Sequence, residues 1–293
     1  MCKQRCRQDP LRLVGLLLVG LTACSLGPQK VEAVTLSLSF KPGDRYAYKI
    51  HTGMELTQSH NGRTQPLSGE IDEVEEVRVQ SVDPDGTATL EISTRQLGGT
   101  LNGVRLPAGK AYTTIWKVTP NGRVVGQGGV GVMGSASASG AGGEPYLPLL
   151  PGHKVRPGET WKDSIDIPVR AGSGTAHVES ASRYLRSEGE RAVIQTTSQA
   201  TMDVKVDLSQ LLQRDPGETA TVVGGRMVDY KGSVSTDQTA WLDTKTGRVS
   251  RTTITQTLDV DMTVEAPGSP SPSPTRSTGT QNIDLTLAPI EGP

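Results

Sequence analysis

All 3 cysteines of this 293-residue chain, Cys2, Cys6 and Cys24, fall within its first 24 positions. The rest of the chain therefore forms no internal disulfide and offers no thiolate to a metal. Aromatic side chains are scarce, at 1 Phe, 6 Tyr and 3 Trp. A core built without them must draw on β-branched and small aliphatic residues, which favours sheets over helix bundles. No excess of one charge exists either, with 30 basic against 31 acidic side chains. That balance leaves no basic footprint for nucleic acid and no polybasic contact with a membrane surface.

What is present begins at the N-terminus. Lys3, Arg5, Arg7 and Arg12 are followed by an apolar run from Leu13 to Leu21 and by small residues at Thr22 and Ala23. These are the parts of a secretory signal, and the apolar run is shorter than the roughly 20 residues that span a bilayer. Leu21-Thr22-Ala23-Cys24 resembles the lipobox of bacterial lipoproteins. The resemblance implies cleavage between Ala23 and Cys24, a diacylglycerol on the Cys24 thiol and often acylation of the new amino terminus. Two or more acyl chains anchor a protein stably, whereas one binds only marginally. The processed chain would keep 26 basic and 30 acidic side chains over 270 residues, a formal charge of −4. The expected location is extracytoplasmic, tied to a bacterial plasma or outer membrane; Ser25 provides no Asp retention signal after the cysteine.

Residues 24–33 read as a lipid-anchored tether. Val34 to Phe40 alternates apolar with polar, the period of a half-buried strand. Lys41-Pro42-Gly43-Asp44 is a turn, and Tyr46, Tyr48 and Ile50 set the apolar face of the next strand. The stretch at Ser59-His60-Asn61-Gly62 reads as an exposed loop. Val77 and Val79 lead into Asp83-Pro84-Asp85-Gly86, with Ala88, Leu90 and Ile92 leading out, which predicts a hairpin. Leu97 to Gly109 reads as a loop or short bent strand. Residues 34–125 thus form a first β-meander unit, and 126–151 a Gly/Ser-rich loop with a Pro-rich return.

Residues 152–265 repeat the pattern. Pro157-Gly158-Glu159-Thr160-Trp161 answers Pro42-Gly43-Asp44-Arg45-Tyr46, and Trp241 with Gly247-Arg248-Val249 answers Trp116 with Gly122-Arg123-Val124. Matching anchors in matching order suggest two copies of one unit. A short helix is expected near Asp207 to Leu212, and Leu258, Val260, Met262 and Val264 alternate as a strand. Residues 266–280 are Pro/Ser-rich and read as a disordered loop, with 281–293 holding a final strand.

Chemical motifs are weak. Gly126-Gln127-Gly128-Gly129-Val130-Gly131 has the spacing of a dinucleotide fingerprint, but the glycine- and serine-rich sequence after it cannot open the helix that motif requires. Asp83-Pro84-Asp85-Gly86 has glycine too early for a calcium loop. Glu70, Asp72, Glu73, Glu75 and Glu76 cluster as expected for an edge or solvent-facing strand. His51, His60, His153 and His177 lie far apart, without metal-ligand spacing, and no Gly-x-Ser-x-Gly elbow occurs. Trp116 and Trp241 are expected as paired core anchors. No cofactor, metal site or catalytic residue is expected.

The body also resembles β-rich extracytoplasmic domains of bacterial lipoproteins that carry no assigned activity, through its Pro-Gly-acidic-x-aromatic turns and the hairpin from Trp241-Leu242-Asp243 to Gly247. A looser architectural resemblance is to lipid carriers of the LolA/LolB type, which implies a curved sheet around an acyl-binding hollow. The expected fold is all-β and antiparallel, two related meander units forming a sandwich or open curved barrel. The expected role is a non-catalytic binding or structural lipoprotein of the envelope, whose partners are the membrane through Cys24 and an apolar ligand or envelope protein. A carrier of lipid is the first alternative, and a hydrolase with an unrecognised site the second.

Overall fold

The computed structural model describes residues 32–125, 147–168, 172–207, 227–265 and 274–289. Every regular element among them is a strand. The first half supplies β1 (Val34–Thr35), β2 (Arg45–His60), β3 (Arg63–Val82), β4 (Ala88–Leu101), β5 (Val104–Leu106), β6 (Tyr112–Val118) and β7 (Val124–Val125). The second supplies β8 (Lys154–Val155), β9 (Thr160–Pro168), β10 (Gly172–Glu188), β11 (Arg191–Asp207), β12 (Met227–Asp243), β13 (Arg248–Glu265) and β14 (Pro274–Ala288). β1 pairs with β8, and the other 12 strands form one sheet in the order β7-β6-β4-β3-β2-β14-β13-β12-β11-β10-β9, with β5 beside β4. All its ladders are antiparallel. The fold is all-β, with the expected meanders joined in a single open sheet.

The strand order contains the same run twice, β7-β6-β4-β3-β2 and then β13-β12-β11-β10-β9, with β14 between them. Backbone hydrogen bonds repeat as well. Gly43 N–H donates to the Val79 carbonyl at 2.9 Å, and Val79 N–H to that of Asp44 at 2.9 Å. In the second half Gly158 N–H donates to Tyr184 at 2.6 Å, and Tyr184 N–H to Glu159 at 3.1 Å. Each of these strands then slips register, after Val79 in β3 and after Tyr184 in β10. The bulge turns the strand at the same place in both copies.

The tryptophans do not follow this equivalence. Trp116 stands opposite Leu90 and packs on the core, and the matching position in the second half, opposite Ile194, is Ala240. Trp241 is the next residue and faces the other side of the sheet. There Arg251 lies 5.2 Å over its ring, and its indole N–H donates to Glu188 at 3.1 Å. A ladder irregularity between Trp241 and Leu242 takes up one residue. Equal Trp-to-Gly spacing in sequence therefore does not give equal facing, and the two are not paired core anchors.

Two further expectations change, and a third is resolved. β14 begins at Pro274, so 274–280 is strand instead of loop; proline is tolerated there because the first residue need not donate to a ladder. Of the two readings for Leu97 to Gly109, the strand holds as far as Leu106, where β4 runs on to Leu101 and pairs with β5, and residues 107–109 are irregular. β3 is not an edge strand, being flanked by β2 and β4. Of the expected helix near Asp207 to Leu212, Asp207 ends β11 and the remainder lies outside the described residues, as does the Gly/Ser-rich stretch 126–143.

The sheet curls because its inner face is apolar in both halves. Tyr48, Ile50, Val77, Val79, Leu90 and Ile92 from the first half share one buried cluster with Tyr184, Ile194, Leu242, Val249, Ile254 and Leu285. Within it the Tyr48 hydroxyl donates to the Val249 carbonyl at 3.0 Å. The far edges of the strand order are also tied together, by an ion pair between Arg123, beside β7, and Asp163 of β9. Trp161 of β9 donates its indole N–H to the Leu149 carbonyl at 2.9 Å.

The segment from Leu36 to Phe40 closes the end of the sheet that carries the hairpin turns. Leu36 and Leu38 are buried, Leu38 N–H donates to Pro120 at 2.7 Å and Ser39 N–H to Gly247 at 3.1 Å. Gly247 permits this crossing. It has φ +65°, and a Cβ there would lie 2.5 Å from that of Ser39. Beside it Arg248 reaches Asp44 at 2.6 Å and stacks 5.2 Å from the Tyr46 ring, so one cation locks β13 to the β2 turn. Arg248→Ala is expected to cost about 1–2 kcal/mol, since the pair is largely shielded and adds a cation–π contact. Urea unfolding of Arg248→Ala, Asp44→Ala and the double variant should show coupling of roughly 1 kcal/mol, and additive losses would refute the lock.

Candidate functional site

Two features of the sheet depart from a plain packed core, one on each face. The inner face has a polar belt. The row Thr52–Ile283–Ile254–Gln238–Thr196–Ser182 crosses in register from β2 through β14 and β13 to β10, and the next row Gln281–Gln256–Thr236–Ser198 from β14 to β11. Thr52, Gln238, Thr196, Ser182, Gln281 and Gln256 are all buried. Ser182 and Thr196 satisfy each other at 2.9 Å, and the Gln256 amide donates to Thr236 at 3.4 Å. Beyond the belt a second apolar cluster forms on β10 to β13, including Val178, Met202, Val204, Tyr230 and Leu258. The inner face is thus apolar, polar, then apolar again along its strands.

Glu73 and Glu75 extend this polarity onto β3. They are 8% and 5% exposed and share the face of Val77 and Val79. The expectation of a solvent-facing strand fails for this pair, because alternation along β3 turns Glu70, Asp72 and Glu76 outward and Glu73 and Glu75 inward. Burial raises the Glu73 carboxyl above its ordinary range. Burial, then the neighbouring charge of Glu73, pushes Glu75 up to about 8. Glu75 is therefore mainly a neutral acid near neutral pH, holding its proton inside the sheet. Glu75 Oε1 and Gln256 Oε1 have no hydrogen-bond partner among the described residues.

The outer face carries a cleft of about 760 Å³ on β2, β3 and β14, walled by Leu97 and Gly98 of β4 and by Arg105 to Ala108. Lys49 and His51 reach it because Tyr48 and Ile50 point inward, which sends the odd positions of β2 outward. His51 Nδ1 meets Asp72 at 2.8 Å across the β2–β3 ladder, and Asp284 stands on its other side in register. Glu73 and Ile50 also border the cleft, although their side chains point inward. A depression of about 350 Å³ around Gly53 and Ser68 lies alongside.

The His51–Asp72 pair has a counterpart. The offset from Gly43 to Gly158 carries His51 onto Asp166, and the offset from Val79 to Tyr184 carries Asp72 onto His177. His177 Nδ1 meets Asp166 at 2.6 Å, so the second half keeps the pair with its partners exchanged. Hydrogen bonding to Asp166, with Glu179 nearby, raises the His177 pKa.

The other expected residues are dispersed. His60 bonds Thr275 at 3.0 Å at the strand tips, and His153 is exposed beside β8. Asp83 to Gly86 is the expected hairpin turn, where Asp85 accepts the Thr87 N–H at 2.9 Å. No group of three His, Cys, Asp or Glu able to hold a metal occurs among the described residues. Ala23, Cys24 and the glycines at 126–131 lie outside them. Sequence reasoning missed Lys49, Leu97, Arg105 and Leu106. The alternation at Tyr46, Tyr48 and Ile50 already sets Lys49 outward, but nothing local shows that Leu97 to Ala108 forms a wall against it.

No protein-family model and no curated protein matches this chain. Solved structures that it resembles include two triple mutants and one double mutant of the Rh. blastica porin. They are 8%, 7% and 6% identical, each match covers 82% of this chain and 100% of the porin, and the TM-score is 0.21 throughout. A likeness at that level carries no argument about fold or function.

Proposed function

We propose that this chain is a lipid-anchored, extracytoplasmic protein of a bacterial envelope with a non-catalytic binding role. The Leu21-Thr22-Ala23-Cys24 box supports the anchor, and the absence of any later cysteine fits a thiol kept for acylation. The observation that carries the binding role is the outer cleft, whose volume of about 760 Å³ falls in the range of small-molecule sites. Its floor is the β14–β2–β3 ladder, and its wall is the β4–β5 ribbon.

A second reading, a carrier of lipid or another apolar ligand, draws on the inner apolar cluster beyond the polar belt. The anchor is tested by metabolic labelling with a palmitate analogue in a bacterial host. The wild type should incorporate label and sediment with membranes, and Cys24→Ala should do neither. Labelling that persists in Cys24→Ala would overturn the anchor. Native mass spectrometry of the mature protein then separates the readings: extractable lipid at one equivalent favours the carrier.

A further inference from the structure

The charges in the outer cleft are not balanced by their own neighbours. Asp72 is engaged by His51 at 2.8 Å, and Asp284 lies 3.6 Å from Arg251. Glu73 borders the cleft, but its side chain turns to the inner face of the sheet and is almost wholly buried there. Lys49 and Arg105, both exposed, have no ion-pair partner among the described residues. The carboxylates are thus spoken for, while two cations remain free, one from the floor and one from the wall.

The same wall is apolar. Leu97 is 43% exposed, and Leu106, Pro107 and Ala108 line the cleft beside it. A large aliphatic side chain facing water at the mouth of a cleft gains when an apolar group covers it. A cationic ligand would be repelled by Lys49 and Arg105 and would compete with His51 for Asp72 and with Arg251 for Asp284. A purely apolar ligand would leave both cations unused, and a small hydrophilic anion would leave the leucines uncovered. Only a molecule with an acidic group and an apolar body uses both sides.

We propose that the cleft binds an amphiphilic anion, its acidic group held by Lys49 and Arg105 and its apolar body lying on Leu97, Leu106 and Pro107. This assignment rests on the cleft being the binding site. Lys49 stands beside Thr286 in the β2–β14 register, so a hydroxyl is placed to donate a further hydrogen bond to the acidic group. A carboxylate and a phosphate monoester share this chemistry, and probes of both kinds separate them.

The test uses the mature lipidated protein in phosphatidylcholine nanodiscs, with empty nanodiscs to subtract partitioning. Phenylbutyrate, phenylbutyl phosphate, phenylbutanol and phenylbutylammonium are titrated at neutral pH by calorimetry. At least one anion should bind roughly tenfold or more tightly than the alcohol, and the ammonium most weakly. Lys49→Gln with Arg105→Gln should erase that preference and leave the alcohol unchanged. Leu97→Gln, which removes apolar surface without adding charge, should weaken anions and alcohol alike. Both substituted faces are exposed, and circular dichroism checks that the variants fold. Equal binding of alcohol and anions by the wild type overturns the anion assignment while keeping the cleft as the site. Binding by none of the four probes, or binding indifferent to every variant, overturns the cleft itself.

Discussion

Gly279→Val is expected to lose roughly 3–5 kcal/mol of folding stability, a large share of the 5–15 kcal/mol typical of a folded protein. Gly279 sits in the middle of β14 at φ +148°, where side chains other than glycine are strained. A Cβ built there would lie 2.2 Å from the Glu55 carbonyl oxygen and 2.7 Å from the Leu56 Cα. Neither atom can retreat easily, because both belong to the backbone of β2. Nor can β14 move away, since β13 holds it in register on the other side. Strain and overlap thus act on the one strand that joins the repeated halves. Urea unfolding of Gly279→Val should show a midpoint far below wild type with an unchanged slope. Thr280→Val, one residue along and without that overlap, should stay within about 0.5 kcal/mol. Equal midpoints for Gly279→Val and wild type would show that neither the positive φ nor the overlap with β2 constrains this position.

The architecture is more legible in the sequence than the chemistry, for a physical reason. Turns and strand faces are local: Pro42-Gly43-Asp44, Pro157-Gly158-Glu159 and Asp83 to Gly86 behave as their residue types dictate. The duplication shows through the two Pro-Gly turns, and their hydrogen bonds to Val79 and Tyr184 repeat it in three dimensions. The tryptophan match fails because a one-residue register slip leaves spacing intact and reverses facing. β14 is half hidden, since Thr275 to Thr280 between two ladders needs no apolar face of its own to be a strand. The carboxylates mislead for a related reason. Strand order is a long-range property, and nothing in residues 70–76 says that β2 and β4 flank β3. Once they do, alternation alone buries Glu73 and Glu75. The cleft is the least legible feature, because its floor and wall come from strands whose contact depends on how β4 bends.

Glu75 makes stability depend on pH in a direction opposite to an ordinary salt-bridged carboxylate. Its folded pKa is pushed up to about 8, by burial first and by Glu73 second, against 4.5 for the free side chain. Below 4.5 both folded and unfolded chains hold the proton, and the group costs nothing electrostatically. Between 4.5 and 8 only the folded chain holds it, so the folded state binds more protons and stability falls as pH rises. The slope for one such group is about 1.4 kcal/mol per pH unit, on the order of 5 kcal/mol across the window, and it flattens above about 8. Glu75→Gln keeps the shape and the acceptor oxygen but has no proton to lose. Its unfolding free energy, relative to wild type, should therefore climb steadily from about pH 5 to about pH 8. His177, whose pKa is raised by Asp166, adds stability at low pH that is lost as pH rises through its folded pKa. That contribution is common to both proteins and cancels in the difference. Parallel stability curves for wild type and Glu75→Gln across that range would mean that Glu75 ionises normally, by water reaching it or by a partner gained in solution. A difference that grows with pH identifies a carboxylic acid held neutral inside the sheet, two residues from the Glu73 that borders the cleft.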